Sequence, residues 1–101
     1  MSVIWKYPIP VGMAPIFVLM PEGAEVVHVA TQIHVATQSN GRDQTLCAWA
    51  LVDPSAPEEQ AVFFTVATGQ EFGEEWEHVG TGLFHNGLYV WHLLRRRTPT
   101  S

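Results

Sequence analysis

Five histidines are the most conspicuous chemical groups in this chain of 101 residues. A metal site on a strand needs ligands two residues apart or directly across a strand pair, whereas His28 and His34 lie about 20 Å apart along an extended strand. In the hairpin predicted below, His85 and His92 fall on rungs that are not adjacent. The sequence has no Cys-x-x-Cys, His-x-His or His-Glu-x-x-His spacing. We therefore expect ordinary sheet histidines, with no metal and no other cofactor.

The nucleophiles and carboxylates form no catalytic pattern either. Serine occurs only at positions 2, 39, 55 and 101, in termini and turns, and no Gly-x-Ser-x-Gly elbow is present. Asp53 has possible partners in the acidic segment 71–77, but its four glutamates are more typical of a solvated run. No phosphate-binding Gly-x-x-x-x-Gly-Lys occurs. These features favour a non-catalytic protein.

The remaining chemistry is that of binding. Two short segments place flexible glycine backbone beside threonine hydroxyls, and a tryptophan lies between them. Backbone N–H groups and arginines can hold phosphate oxygens, and an aromatic face can stack a base. The candidate ligand-binding residues are therefore Thr68, Gly69, Trp76, Gly80, Thr81, Gly82, Arg95, Arg96 and Arg97. Each of them also has a structural use in an ordinary sheet.

The elements that position these residues are strands, because no segment sustains helical periodicity. Alternating or short apolar runs bounded by Gly, Pro and Asn lie at 3–9, 16–20, 25–38, 45–52 and 60–68. We predict a single all-β domain over residues 1–94, an antiparallel β-sandwich or open barrel of about six or seven strands. Residues 95–101 form a short basic C-terminal tail.

The run 25–38 contains the pentapeptide HVATQ twice, at 28–32 and 34–38. The period of six is even, so both copies keep the same facing in an unbroken strand. Val27, Val29 and Ile33 then share the buried face. The run is longer than most strands, which predicts a bend, a bulge or a projecting ribbon.

Residues 76–94 give the clearest local prediction, a C-terminal β-hairpin that turns at Asn86-Gly87. This dipeptide suits the two positive-φ positions of a type I′ turn. The resulting register pairs His85 with Leu88, Leu83 with Val90 and Thr81 with His92. One face carries Val79, Thr81, Leu83, His85, Leu88, Val90, His92 and Leu94. The other, expected to be the packing surface with Trp91 over Gly82, carries His78, Gly80, Gly82, Phe84, Tyr89, Trp91 and Leu93. A pocket is expected at the open end of this hairpin.

The amino-acid composition and net charge limit which partners this chain is expected to have. A hydrophobic fraction of 47% with 15% charged residues favours a homo-oligomer, with a tightly packed monomer as the alternative. A net charge of −5 argues against duplex nucleic acid as a partner. The single cysteine, Cys47, lies in an apolar run and is expected to be a buried thiol. No signal peptide and no apolar run of about 20 residues is visible, which predicts a cytoplasmic protein without a membrane partner.

Several landmarks occur together and in order. They are IWKYPIP at 4–10, MPEGAEVVHVATQ at 20–32, WALVDP at 49–54, ATG at 67–69, HVGTG at 78–82 and YVWHL at 89–93. In this order they resemble a family of short uncharacterised proteins encoded by tailed bacteriophages. The resemblance covers nearly the whole chain, which departs from it by the second HVATQ copy and the RRRTPTS tail.

The resemblance transfers no activity and no catalytic residue. It implies a phage accessory protein in the cytoplasm of the infected bacterial host, where small proteins of this kind are often counter-defence factors. We therefore expect a non-catalytic protein that oligomerises and sequesters a small nucleotide-like signal. The alternative is a protein–protein interaction module, either an inhibitor of a host protein or a minor phage structural or assembly component, which would use the edge of the 25–38 strand.

Overall fold

The computed structural model of the protein describes residues 1–34 and 43–97. Within these ranges every regular element is a strand, and none is a helix long and apolar enough to cross a membrane. The strands are β1 (Val3–Ile9), β2 (Ile16–Pro21), β3 (Glu25–His34), β4 (Asp43–Val52), β5 (Glu58–Ala67), β6 (Trp76–Phe84) and β7 (Tyr89–Arg96). The predicted all-β architecture is confirmed. The second HVATQ copy beyond His34, and the tail beyond Arg97, lie outside the described residues.

The strands form two antiparallel sheets that pack face to face as an open sandwich. The three-stranded sheet has the order β1-β4-β3, and the four-stranded sheet has the order β2-β5-β7-β6. On one side the sheets are joined where β3 meets β6, and there the Thr31 hydroxyl donates a hydrogen bond to the Leu83 carbonyl oxygen at 2.6 Å. Each sheet turns one face towards the core, and the other face of the four-stranded sheet points away from it.

The core between the sheets is built from the inward side chains of both. Ile9, Leu46, Phe63 and Leu93 are fully buried there, together with the small side chains of Ala48 and Ala50. Burying a side chain such as Phe63 contributes about 1.5–3 kcal/mol. Cys47 is also buried, on the opposite side of the central strand β4, as predicted for this thiol.

Two β-bulges change which side chains face the core. The register of β3 on β4 shifts between Val26 and His28, so Val27 is exposed while Val29 is buried. The prediction that Val27, Val29 and Ile33 share a buried face is therefore wrong, because the extra residue reverses the alternation and Ile33 is also exposed.

The second bulge lies in β6, between His78 and Gly80. His78 pairs with Leu94, and Thr81 pairs with His92, so both side chains lie on the same face of the sheet. The prediction that placed His78 opposite Thr81 is wrong for this reason.

The C-terminal hairpin has the predicted register, with Leu83 paired to Val90 and Thr81 to His92. Asn86 and Gly87 have φ of 57° and 86°, as a type I′ turn requires, and the Leu88 N–H donates to the His85 carbonyl at 3.2 Å. His85 also has a positive φ of 51°, so regular pairing stops one residue earlier than predicted, at Phe84 and Tyr89. At the open end, β7 continues to Arg96, which makes Arg95 and Arg96 part of the sheet.

Candidate ligand-binding site

A chain of polar side chains lies on the outer face of the four-stranded sheet. The Thr81 hydroxyl of β6 is 2.9 Å from His78 Nε2 and 2.9 Å from His92 Nδ1. The other ring nitrogen of His92, Nε2, is 2.8 Å from the hydroxyl of Thr68, just after β5. The pairing of Thr81 with His92 and the bulge at Val79 together bring these groups onto one face. We call these four residues the His–Thr chain.

The hydrogen bonds of the His–Thr chain depend on one another. A threonine hydroxyl has a single proton, so when Thr81 donates to one histidine it accepts from the other. When both imidazoles are neutral and Thr81 donates to His78, His92 donates from Nδ1 and its Nε2 accepts from Thr68. If Thr81 donates to His92, then every bond in the chain runs the other way. A bound polar group that donates or accepts at one end would therefore select one of two proton arrangements.

The segment 69–72 forms one wall of an open cleft beside the His–Thr chain. Gly69 begins it with a φ of 90°, and a hydrogen bond of 3.1 Å from the Gln70 N–H to the Ala67 carbonyl closes the turn. The segment brings Phe72, which is 47% exposed, to the cleft. This cleft has a volume of about 410 Å³, and its walls include Thr68, Gly69, Phe72, His78, Thr81 and His92. We call it the His–Thr cleft.

Phe72 also lines a neighbouring cleft of about 590 Å³, together with Trp76 and Arg97. The indole of Trp76 packs on Phe64, with ring centroids 5.6 Å apart. Arg97 donates from Nε to the Glu74 carbonyl at 3.0 Å. We call this second space the Trp–Arg cleft.

Arg97 is also held by an acidic side chain. Its Nη1 donates to the carboxylate of Glu77 at 3.2 Å, in an ion pair whose side chains are both largely exposed. The described partners thus take two of the five N–H donors of the guanidinium. An anionic ligand in the Trp–Arg cleft would therefore compete with a carboxylate for this arginine.

Two of the three glycines predicted as site residues, Gly80 and Gly82, lie where β6 faces the core. A Cβ at Gly80 would overlap the side chain of Val29, and one at Gly82 would overlap Leu46 of the facing sheet. Both positions therefore permit the sheets to approach. Gly82 pairs with Trp91 as predicted, but the space where a Cβ would stand at Gly82 is occupied by Leu46 and not by the Trp91 indole.

The three predicted arginines border one cleft of about 240 Å³ but make different contacts. Arg95 donates from Nη1 to the Ala24 carbonyl at 2.7 Å, and its guanidinium lies 5.7 Å from the centroid of the Phe63 ring. It thereby connects the start of β3 to β7. Arg96 is exposed, and Glu59 and Gln60 also line the cleft that the three arginines share.

The structure thus divides the nine predicted residues. Thr68, Gly69 and Thr81 meet in the His–Thr cleft, and Trp76 and Arg97 meet in the Trp–Arg cleft. Gly80, Gly82 and Arg95 have packing partners, and Arg96 lines a third cleft that Arg95 and Arg97 also border.

The residues that sequence reasoning missed are His78, His92 and Phe72. The predicted register already placed His92 beside Thr81, which was a usable signal. The bulge in β6 moves His78 to the face opposite the one predicted. Phe72 lies in a segment without an apolar pattern. Among the described residues, no three His, Cys, Asp or Glu side chains are grouped so that they could hold a metal ion.

Over residues 1–101 the chain matches a family described as a domain of unknown function, DUF7352, and it belongs to that family. A search of curated proteins and a search of solved structures each found no match.

Proposed function

We propose that this member of the DUF7352 family is a non-catalytic binding protein that captures a small nucleotide-like ligand where two clefts meet at Phe72. The observation that supports this most directly is the shared wall. Phe72 borders the His–Thr cleft on one side and the Trp–Arg cleft on the other. Hydrogen-bonding groups, aromatic faces and a guanidinium are therefore available to one ligand.

Each part of such a ligand has a complementary group. A planar base would stack on Phe72 or Trp76, and stacking of this kind contributes about 1–3 kcal/mol per base. The His–Thr chain offers donors and acceptors to the polar edge of the base, in either of its two proton arrangements. Arg97 offers charge-assisted hydrogen bonds to a phosphate.

The charges around the clefts restrict the ligand further. Glu77 already pairs with Arg97, and the chain carries a net charge of −5. A ligand with several phosphates would meet this negative field and would have to displace the Glu77 carboxylate. We therefore expect a ligand with a single phosphate or a low total charge.

A binding role agrees better than catalysis with the contacts of His92. Among the described residues, its two ring nitrogens contact threonine hydroxyls and no carboxylate that would orient it as a general base. The resemblance to tailed-phage proteins adds the setting. In the cytoplasm of an infected bacterium, such a protein would act by sequestering a nucleotide signal used in host defence.

Isothermal titration calorimetry of the full chain against a panel of linear and cyclic mononucleotides tests the proposal. We expect saturable binding to at least one member of the panel. Phe72→Ala should weaken it by about tenfold or more, since that ring borders both clefts. Tyr89→Ala is the matched control, because Tyr89 is 55% exposed and lies by the hairpin turn, outside both clefts.

Circular dichroism establishes that both variants are folded. No binding to any nucleotide by the folded protein would contradict the proposal. Equal weakening by Phe72→Ala and Tyr89→Ala would contradict the location of the site.

A further inference from the structure

The outer edge of β2 lacks the features that protect the other sheet edges. β1 carries Lys6 and Pro8. The edges of β3 and β6 are each interrupted by a bulge, and these strands meet each other across the sandwich. In β2 the register with β5 is unbroken, and the segment 16–20 has no charge and no proline. Natural proteins use charges, prolines, bulges and cover to prevent edge-to-edge pairing.

The side chains along this edge are apolar on both faces. Phe17 and Leu19 point outward and are 61% and 62% exposed, while Ile16, Val18 and Met20 point into the core. No described strand pairs with the other side of β2, so its N–H and C=O groups on that side form a ladder ready for another strand.

We propose that a second copy of this chain pairs with this edge, as an antiparallel β2–β2 ladder about a two-fold axis at Val18. The five residues between Pro15 and Pro21 are centred on Val18. An antiparallel pair centred there sets Pro15 of one copy opposite Pro21 of the other, so the residues that cannot donate fall at the ends of the ladder. It also sets Phe17 opposite Leu19 twice, which covers the exposed apolar side chains of both copies.

The charges favour the antiparallel arrangement. Glu22, Glu58 and Glu59 all lie at the Pro21 end of β2, since Glu58 pairs with Pro21 and Glu59 with Met20. Antiparallel pairing places the two acidic ends at opposite ends of the shared ladder, whereas parallel pairing would bring them together. The two four-stranded sheets would thereby join into one continuous sheet of eight strands.

The size of the contact predicts a weak dimer. A ladder of five residues per copy buries less than the roughly 800 Å² per partner of a standard stable interface. Dimerisation should therefore depend on protein concentration. This inference goes beyond the proposed function, because β2 lines neither the His–Thr cleft nor the Trp–Arg cleft. The two can therefore fail separately.

Sedimentation equilibrium of the full chain from micromolar to millimolar concentration tests the dimer. We expect the apparent mass to rise from 11.3 kDa towards twice that value. Leu19→Lys should raise the dimer dissociation constant about tenfold or more, because it places a charge in the apolar pair with Phe17. Leu88→Lys makes the same change in the hairpin turn, where the side chain is 73% exposed, and should leave the constant unchanged.

A cysteine crosslink tests the register. In a Cys47→Ala background, Val18→Cys places the only thiol on the two-fold axis, where directly opposed Cβ atoms lie about 4.5–5.5 Å apart. Mild oxidation should give a covalent dimer. Ile16→Cys in the same background is the control, because Ile16 is half-buried like Val18 but faces Met20 of the partner copy.

The outcomes separate clearly. A protein that stays monomeric at every concentration would overturn the inference, as would a dimer that Leu19→Lys leaves intact or that Leu88→Lys dissociates equally. Crosslinking by Ile16→Cys rather than Val18→Cys would contradict the proposed register. Binding of a strand from another protein, without self-association, would contradict the proposal that a second copy of this chain pairs with β2. Nucleotide binding by the monomeric Leu19→Lys variant would show that the ligand site does not depend on dimerisation.

Discussion

Gly80 of β6 lies so close to Val29 of β3 that only a glycine fits there. A Cβ at position 80 would overlap both Cβ and Cγ2 of the valine. Val29 is buried in the core, and the contact adjoins the Thr31–Leu83 hydrogen bond that joins β3 to β6. The absence of a side chain at position 80 therefore sets how closely the sheets approach on this side of the sandwich.

Gly80→Ala should destabilise the protein by about 1–3 kcal/mol, the usual cost of forcing extra volume into a packed core. Urea denaturation measures the change in the free energy of unfolding. Gly12→Ala is the matched control, because a Cβ there meets no atom within 4 Å, and its effect should stay within about 0.5 kcal/mol. Equal stabilities for the two variants would contradict the tight contact.

The hairpin was predictable from sequence because its information is local. Asn86 and Gly87 tolerate the positive φ of the turn, and strict alternation then fixes every pair back to Thr81 and His92. The two bulges were not predictable in position, since they depend on the volume presented by the facing sheet. Val29 against Gly80 is a property of two strands 51 positions apart, and nothing adjacent to either residue specifies it.

The candidate site is likewise predictable only in part, because some of its residues are brought together by contacts between distant strands. The residue types of Thr68, Gly69 and Thr81 predict a binding role, and these three residues meet in one cleft. His78 joins them only because the bulge at Val79 reverses its facing. Side chains such as Arg95 are ambiguous by type, because a guanidinium serves equally well for a ligand phosphate or, as here, for a backbone carbonyl.

Arg95→Met should destabilise the protein by about 1–3 kcal/mol, because it leaves the buried Ala24 carbonyl without its charged donor. In a chain of this size each kcal/mol lowers Tm by about 4–8 °C, so thermal unfolding resolves the change. Arg96→Met, on the exposed neighbour, should leave Tm nearly unchanged. Identical Tm values for the two variants would contradict a structural role for Arg95.

Ser55→Ala should raise the pKa of Asp53 towards its ordinary value of 3.8. The Ser55 hydroxyl, at 2.7 Å, and the Ser55 N–H, at 3.0 Å, both donate to the Asp53 carboxylate and hold this pKa below that value. At pH values above its ordinary pKa, the ionised Asp53 carboxylate therefore stabilises the turn. This stabilisation is lost as the pH falls through the lowered pKa. A carbon-detected NMR titration of the carboxyl group measures the shift.

Ser55→Thr is the control for that titration, since it keeps the hydroxyl and should keep the low pKa. The same rise in both variants would mean that the side-chain hydrogen bond is not the cause.

Thr81→Val should cost more stability than Thr68→Val, because the Thr81 hydroxyl contacts both His78 and His92 whereas Thr68 contacts only His92. Each lost hydrogen bond at this partly exposed site is worth about 0.5–1.5 kcal/mol. The two bonds to His92 are coupled through its ring, so the double variant should lose less than the two single losses added together. Urea denaturation of the four proteins in this cycle supplies the coupling energy. Equal single losses that add without coupling would mean that the four polar groups are neighbours in the cleft but do not act as one hydrogen-bonded chain.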